Sequence, residues 1–98
     1  MTQIDNNLDI GDTVMRKKII NKILDYRNDN NIDFNDLLSL LNQFGFNNRI
    51  KGDHFIFFKK GIDEIINIQP KQNKAKPYQV KQIRNIIIKY NLGRWFYV

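Results

Sequence analysis

The apolar positions change their period twice along the chain. Val14, Met15, Ile19, Ile20, Ile23, Leu24 and Tyr26 recur at helical spacing, with Arg16, Lys17, Lys18 and Lys22 on the other side. Asp12 or Thr13 is placed to cap this helix. The run Asn28-Asp29-Asn30-Asn31, whose short side chains compete for backbone hydrogen bonds, is expected to end it. A second stripe, Phe34, Leu37, Leu38, Leu40, Leu41 and Phe44, predicts a helix over 34–44. Asp33 stands ready to cap it, Gly45 to stop it in the left-handed region, and Phe46 to fold back on its last turn.

From Phe46 onward the period shortens to two. Segments 46–51, 54–59 and 64–68 read as strands, joined by Gly52-Asp53 and by Lys60-Gly61-Ile62-Asp63. Alternation puts His54, Ile56 and Phe58 on one face of the middle strand and Phe55, Phe57 and Lys59 on the other. Gln69-Pro70 ends the pattern, because proline cannot donate to a ladder. A polar, basic loop over 71–77 follows. The helical period then returns over 78–90, with Val80, Ile83, Ile86, Ile87 and Tyr90 inward and Lys81, Arg84 and Lys89 nearer solvent. The closing Arg94-Trp95-Phe96-Tyr97-Val98 is too apolar for a free end and is expected to pack on this chain or a neighbour.

These elements predict an α+β fold: α-β-β-β-α with an extra N-terminal helix. A three-stranded antiparallel sheet with two helices on one face is the architecture of the double-stranded-RNA-binding domain. Residues 1–12 read as a flexible leader, 13–31 as a helical extension, 32–92 as the domain and 93–98 as an aromatic tail. Ninety-eight residues suffice for one core and not for two. No apolar run approaches the ~20 residues that span a bilayer. The polar, acidic start lacks the signature of an export signal, and the chain has no cysteine for a disulfide scaffold. Both point to the cytoplasm. Neither the oligomeric state nor any cofactor can be read from the chain, and none of the latter is expected.

Charge divides the chain. Residues 1–48 carry five basic side chains against seven acids, a net of −2, whereas 49–98 carry eleven against three, a net of +8. A half this basic attracts polyanions through counterion release, so nucleic acid is the expected partner, and an acidic protein could use the same surface. Lys74, Lys76, Lys81 and Arg84 form the expected phosphate track, with Tyr78 beside them at a helix start.

The single histidine, His54, follows the Gly52-Asp53 turn into the aromatic strand. Imidazole is the one side chain whose ordinary pKa lies near neutrality, which makes His54 the first candidate for proton transfer. Lys51, Lys59 or Lys76 could hold a phosphate beside it. Asp53 either leans toward the ring, favouring its charged form, or simply forms the turn. Of Phe55, Phe57 and Phe58, any that do not cover the helices could stack bases.

The ordered motifs resemble a known family. Asp36-Leu37-Leu38 to Phe44-Gly45-Phe46, Arg49-Ile50-Lys51-Gly52-Asp53-His54-Phe55-Ile56-Phe57, Ile68-Gln69-Pro70 and Lys76-Pro77-Tyr78-Gln79-Val80-Lys81-Gln82 together look like the HicA toxins of bacterial toxin–antitoxin pairs. The similarity runs over about 32–92. It implies an endoribonuclease that cleaves messenger RNA, held inactive by a HicB-type antitoxin covering the His54 face. It also implies that His54 is the catalytic residue. Asp53 departs from the family's serine, and Gln72 stands where many members carry a second histidine. The alternative is a non-catalytic RNA-binding module in which His54 only contacts the backbone.

Overall fold

A computed structural model describes residues 14–94. The capping role expected of Asp12 or Thr13, the leader and all of the tail beyond Arg94 lie outside the described residues. The described residues are α+β, with three α-helices and a three-stranded antiparallel sheet in the order β1-β2-β3. Helix α1 covers 14–24, α2 Phe34–Gln43 and α3 Pro77–Lys89. The strands are β1 Asn47–Lys51, β2 His54–Lys59 and β3 Ile62–Ile68.

The first helix ends earlier than its periodicity suggests. Asp25 takes an extended conformation and accepts from the Arg27 backbone N–H, capping a separate 3₁₀ turn over Tyr26–Asn28. Tyr26 is therefore outside the stripe and 71% exposed. Only Ile20 and Ile23 of α1 are fully buried. Both join the same core as Leu37, Leu40 and Leu41 of α2, Phe57 of β2, Ile66 and Ile68 of β3, and Val80, Ile83, Ile86 and Ile87 of α3. The helix read as an extension thus shares the core of the domain that follows it.

Helix α2 ends in a Schellman motif. Gly45 stands at φ +87°, the Phe46 N–H reaches the Leu41 carbonyl at 3.1 Å, and the Gly45 N–H reaches that of Asn42 at 3.0 Å. Phe46 is buried against the helix it closes, as its position predicted. The same pattern closes α3, with Asn91 at φ 53° in the glycine's role and Leu92 N–H bonded to the Ile87 carbonyl at 3.0 Å. Asp33 occupies the N-cap position of α2 without a side-chain cap. Its carboxylate instead accepts from Lys74 Nζ at 2.6 Å.

Sheet and helices pack as alternation dictates. Phe57, Ile66 and Ile68 are buried under the helices, and Phe55 meets Phe34 edge to face at 5.3 Å. Arg49 pairs with Ile56 and Lys51 with His54, while Ile56 pairs with Asn67 on the other side. Cross-strand partners share a face, so these residues lie on the surface that no helix of the described residues covers. Strand β3 begins at Ile62, two residues earlier than predicted, which makes Lys60-Gly61 a two-residue connection. Tyr90 ties the end of α3 to that strand, donating to Glu64 at 2.6 Å and accepting from the Asp63 N–H at 3.2 Å.

Candidate functional site

The β1–β2 hairpin is closed by two residues, and Gly52 at φ 63° supplies the positive φ that a type II′ connection needs at its first position. This geometry sets Lys51 and His54 directly opposite one another at the end of the sheet, both exposed. The His54 side chain is about half exposed.

Two neighbours hold the ring. Nδ1 lies 3.1 Å from Asn67 Oδ1, across from β2 on β3. With the carboxamide oxygen assigned to that side, Nδ1 carries the proton and Nε2 keeps its lone pair. Asp53 Oδ1 stands 3.8 Å from Nε2, beyond hydrogen-bond reach, with both side chains open to solvent.

Asp53 is itself fixed from behind. Gln69 Nε2 donates to its Oδ2 at 2.7 Å, and Gln69 Oε1 accepts from Lys76 Nζ at 3.1 Å. The Gln69 amide, helped by the charges of His54 and Lys76, holds Asp53 below the usual carboxylate pKa against a smaller opposing desolvation. Asp53 is therefore ionised at neutral pH. Lys76 is positioned in turn by the start of α3, where its backbone N–H donates to the buried Gln79 side chain at 3.1 Å. The chain Lys76–Gln69–Asp53 thus ties the helix start to the histidine hairpin.

Next to it, Gln69, Pro70, Lys71, Lys76, Pro77 and Tyr78 line an open groove of about 490 Å³. Tyr78 is exposed at its rim, and Lys81 is exposed one turn further along α3. Gln72 and Asn73 sit together at φ 53° and 67° at the tip of the 71–74 turn, closed by reciprocal backbone bonds between Lys71 and Lys74. Gln72 is exposed there, and no hydrogen bond links it to the histidine hairpin.

Three of the residues expected to meet RNA are placed elsewhere. Arg84 is turned inward, its side chain only 12% exposed, bonded to Asp29 at 2.6 Å and to the Ile23 carbonyl at 3.1 Å. It joins α3 to the end of α1 and is corrected from phosphate ligand to structural tie. Lys74 pairs with Asp33 and Asn31, which clamps the basic loop to the start of α2. Lys59 lies five residues along β2 from His54, ~17 Å at strand rise, and on the opposite, helix-covered face. There it lines a cavity with Phe44 and Tyr90 and cannot share a phosphate with His54. The structure brings together Lys51, Gly52, Asp53, His54 and Lys76.

Asn67 and Gln69 complete this arrangement, although neither residue type nor spacing marks them as site residues. Only the surrounding pattern points to Asn67: it is the lone polar residue in Ile65-Ile66-Asn67-Ile68, on the alternation that faces away from the helices. No known family model matches the chain, and comparison with curated proteins and with solved structures gives no match.

Proposed function

We propose that the chain is an endoribonuclease that cleaves messenger RNA without a metal ion, and that it is the HicA-like toxin of a toxin–antitoxin pair in the cytoplasm. On this reading the α-β-β-β-α order is a double-stranded-RNA-binding-domain layout put to catalytic use. The observation that carries it is the half-exposed His54, with Nδ1 engaged by Asn67 and Nε2 unblocked, at the end of a sheet face bearing Lys51 and Arg49.

RNA brings its own nucleophile, the 2′-hydroxyl beside each phosphate. Nε2 takes the 2′ proton as the 2′ oxygen bonds to phosphorus. The 5′ oxygen then leaves, taking up the proton from the imidazolium or from water. The products are a 2′,3′-cyclic phosphate and a free 5′-hydroxyl. General base assistance of this kind is worth ~10²–10⁴-fold. Asp53, ionised and 3.8 Å away, steadies the imidazolium while it exists. Lys51, opposite His54 across the hairpin, meets the charge developing on the phosphorane. With no second histidine in the chain, turnover is slow.

A HicB-type antitoxin would inhibit most directly by covering the His54 face, since Lys51 and Arg49 offer acidic groups a counter-charge there. The test is incubation of the purified chain with a defined messenger RNA in chelator. Fragments ending in cyclic phosphate and beginning with 5′-hydroxyl are expected. Binding without any cleavage would leave only the RNA-binding module.

A further inference from the structure

Resting on the reading of the chain as a ribonuclease, we propose that the uncovered face of the sheet is a track for single-stranded RNA and that Phe58 is its base-stacking platform. His54, Ile56 and Phe58 alternate along one side of β2. Phe57, between them, is buried in the core, so Phe58 is directed away from the helices, and it is 40% exposed. Ile65 of β3 lies 64% exposed, and Asn67, two residues on and on the same side, bonds His54. The result is an aromatic and aliphatic floor in a sheet that ends at the proposed proton carrier.

Charge selects the occupant. Arg49 pairs with Ile56 and Lys51 with His54, so two cations of β1 border this floor along one edge. The acids of the sheet mostly serve other ends. Glu64 is turned to α3 and engaged by Tyr90 and Lys89, and Asp53 is bound by Gln69. Asp63 alone extends from β3 toward solvent, at the far end from His54. An apolar floor beside cations suits bases on the floor and phosphates along the edge, the arrangement by which sheets hold single strands. Phe58 lies four residues from His54, ~13 Å at strand rise, so it would receive a base beyond those flanking the scissile phosphate.

The test uses a 2′-O-methylated, and so uncleavable, octaribonucleotide for affinity and its unmethylated counterpart for cleavage. Phe58→Leu retains apolar bulk without a π face and is expected to weaken binding by about five- to a hundredfold, the range for one stacked base. Phe58→Tyr should bind within about twofold of wild type. With unmethylated RNA well below saturation, cleavage by Phe58→Leu should fall in step with its affinity. Wild-type affinity in Phe58→Leu overturns the track, whether or not the chain cleaves RNA. Loss of self-association in Phe58→Leu, with RNA affinity intact, overturns it in favour of a second copy on this face. If wild type cleaves nothing yet Phe58 still governs binding, the track stands and the ribonuclease reading fails.

Discussion

His54 and Asn67 meet across β2 and β3, ring Nδ1 to side-chain Oδ1 at 3.1 Å. The contact selects which ring nitrogen holds the proton and leaves the other, 3.8 Å from Asp53, without a hydrogen bond, so Asn67 is a positioning residue for the proposed chemistry. Asn67→Ala should lower cleavage by about tenfold, a modest share of the general-base effect, with little change in melting temperature because both groups are exposed. Asn67→Asp adds a negative charge at Nδ1, favours the imidazolium and should move the acidic limb of the pH–rate profile upward. A merely structural Asn67 would leave that limb where it is. The profile of the aspartate variant decides between them.

Arg84 holds α3 to the end of α1 through Asp29 and the Ile23 carbonyl. Arg84→Ala leaves both acceptors unpaired in a mostly covered position and should cost about 2 kcal/mol, the loss expected for hydrogen bonds to a charged group. RNA affinity should stay within about twofold once the variant is folded. Urea melts and binding titrations on the same preparation check this. A large loss of affinity at unchanged stability would restore Arg84 to the phosphate track.

Ile23 is fully buried in the core it shares with α2, α3 and the sheet. Ile23→Ala should therefore destabilise the whole domain by about 2–4 kcal/mol, as large-to-small changes in a packed core do. Unfolding should remain a single transition. A variant as stable as wild type, or a separate early transition for α1, would show the first helix to be an appendage.

Stability should also fall in acid, by a route the ion pairs define. Asp33 beside Lys74, and Glu64 beside Tyr90 and Lys89, both lie below their ordinary values of 3.8 and 4.5. Asp25, beside Arg27, is lowered to about 2. A carboxylate depressed by folding contributes stability above its unfolded pKa and loses that contribution as pH falls through its folded one. The melting temperature should thus be level above about pH 5 and decline from there toward about pH 2. Glu64→Gln should flatten the upper part of that decline. Added salt should weaken the effect, since all three groups are exposed to screening.

Much of this was legible in the residues because each element announces its own period. The glycine after Phe44, the two-residue turn before His54 and the alternation through Phe57 each have one local physical cause, and each is found where that cause puts it. Alternation also placed Lys59 on the face opposite His54, so its removal from the site was available from sequence. What stayed hidden depends on contacts distant in the chain. Arg84 reaches Asp29 across 55 positions, Lys74 reaches Asp33 across 41, and Gln69 reaches Asp53 across 16. A periodic pattern says which way a backbone faces. It does not say where a long flexible side chain finds its counter-charge.

In the proposed mechanism a single imidazole performs the proton transfer, and its removal is the sharpest test. His54→Ala should fold with an unchanged melt and bind the uncleavable octaribonucleotide as wild type does. Its rate of RNA cleavage should fall by at least ~10²-fold, the lower bound for loss of a general base. Cleavage by the alanine variant at the wild-type rate would contradict the account.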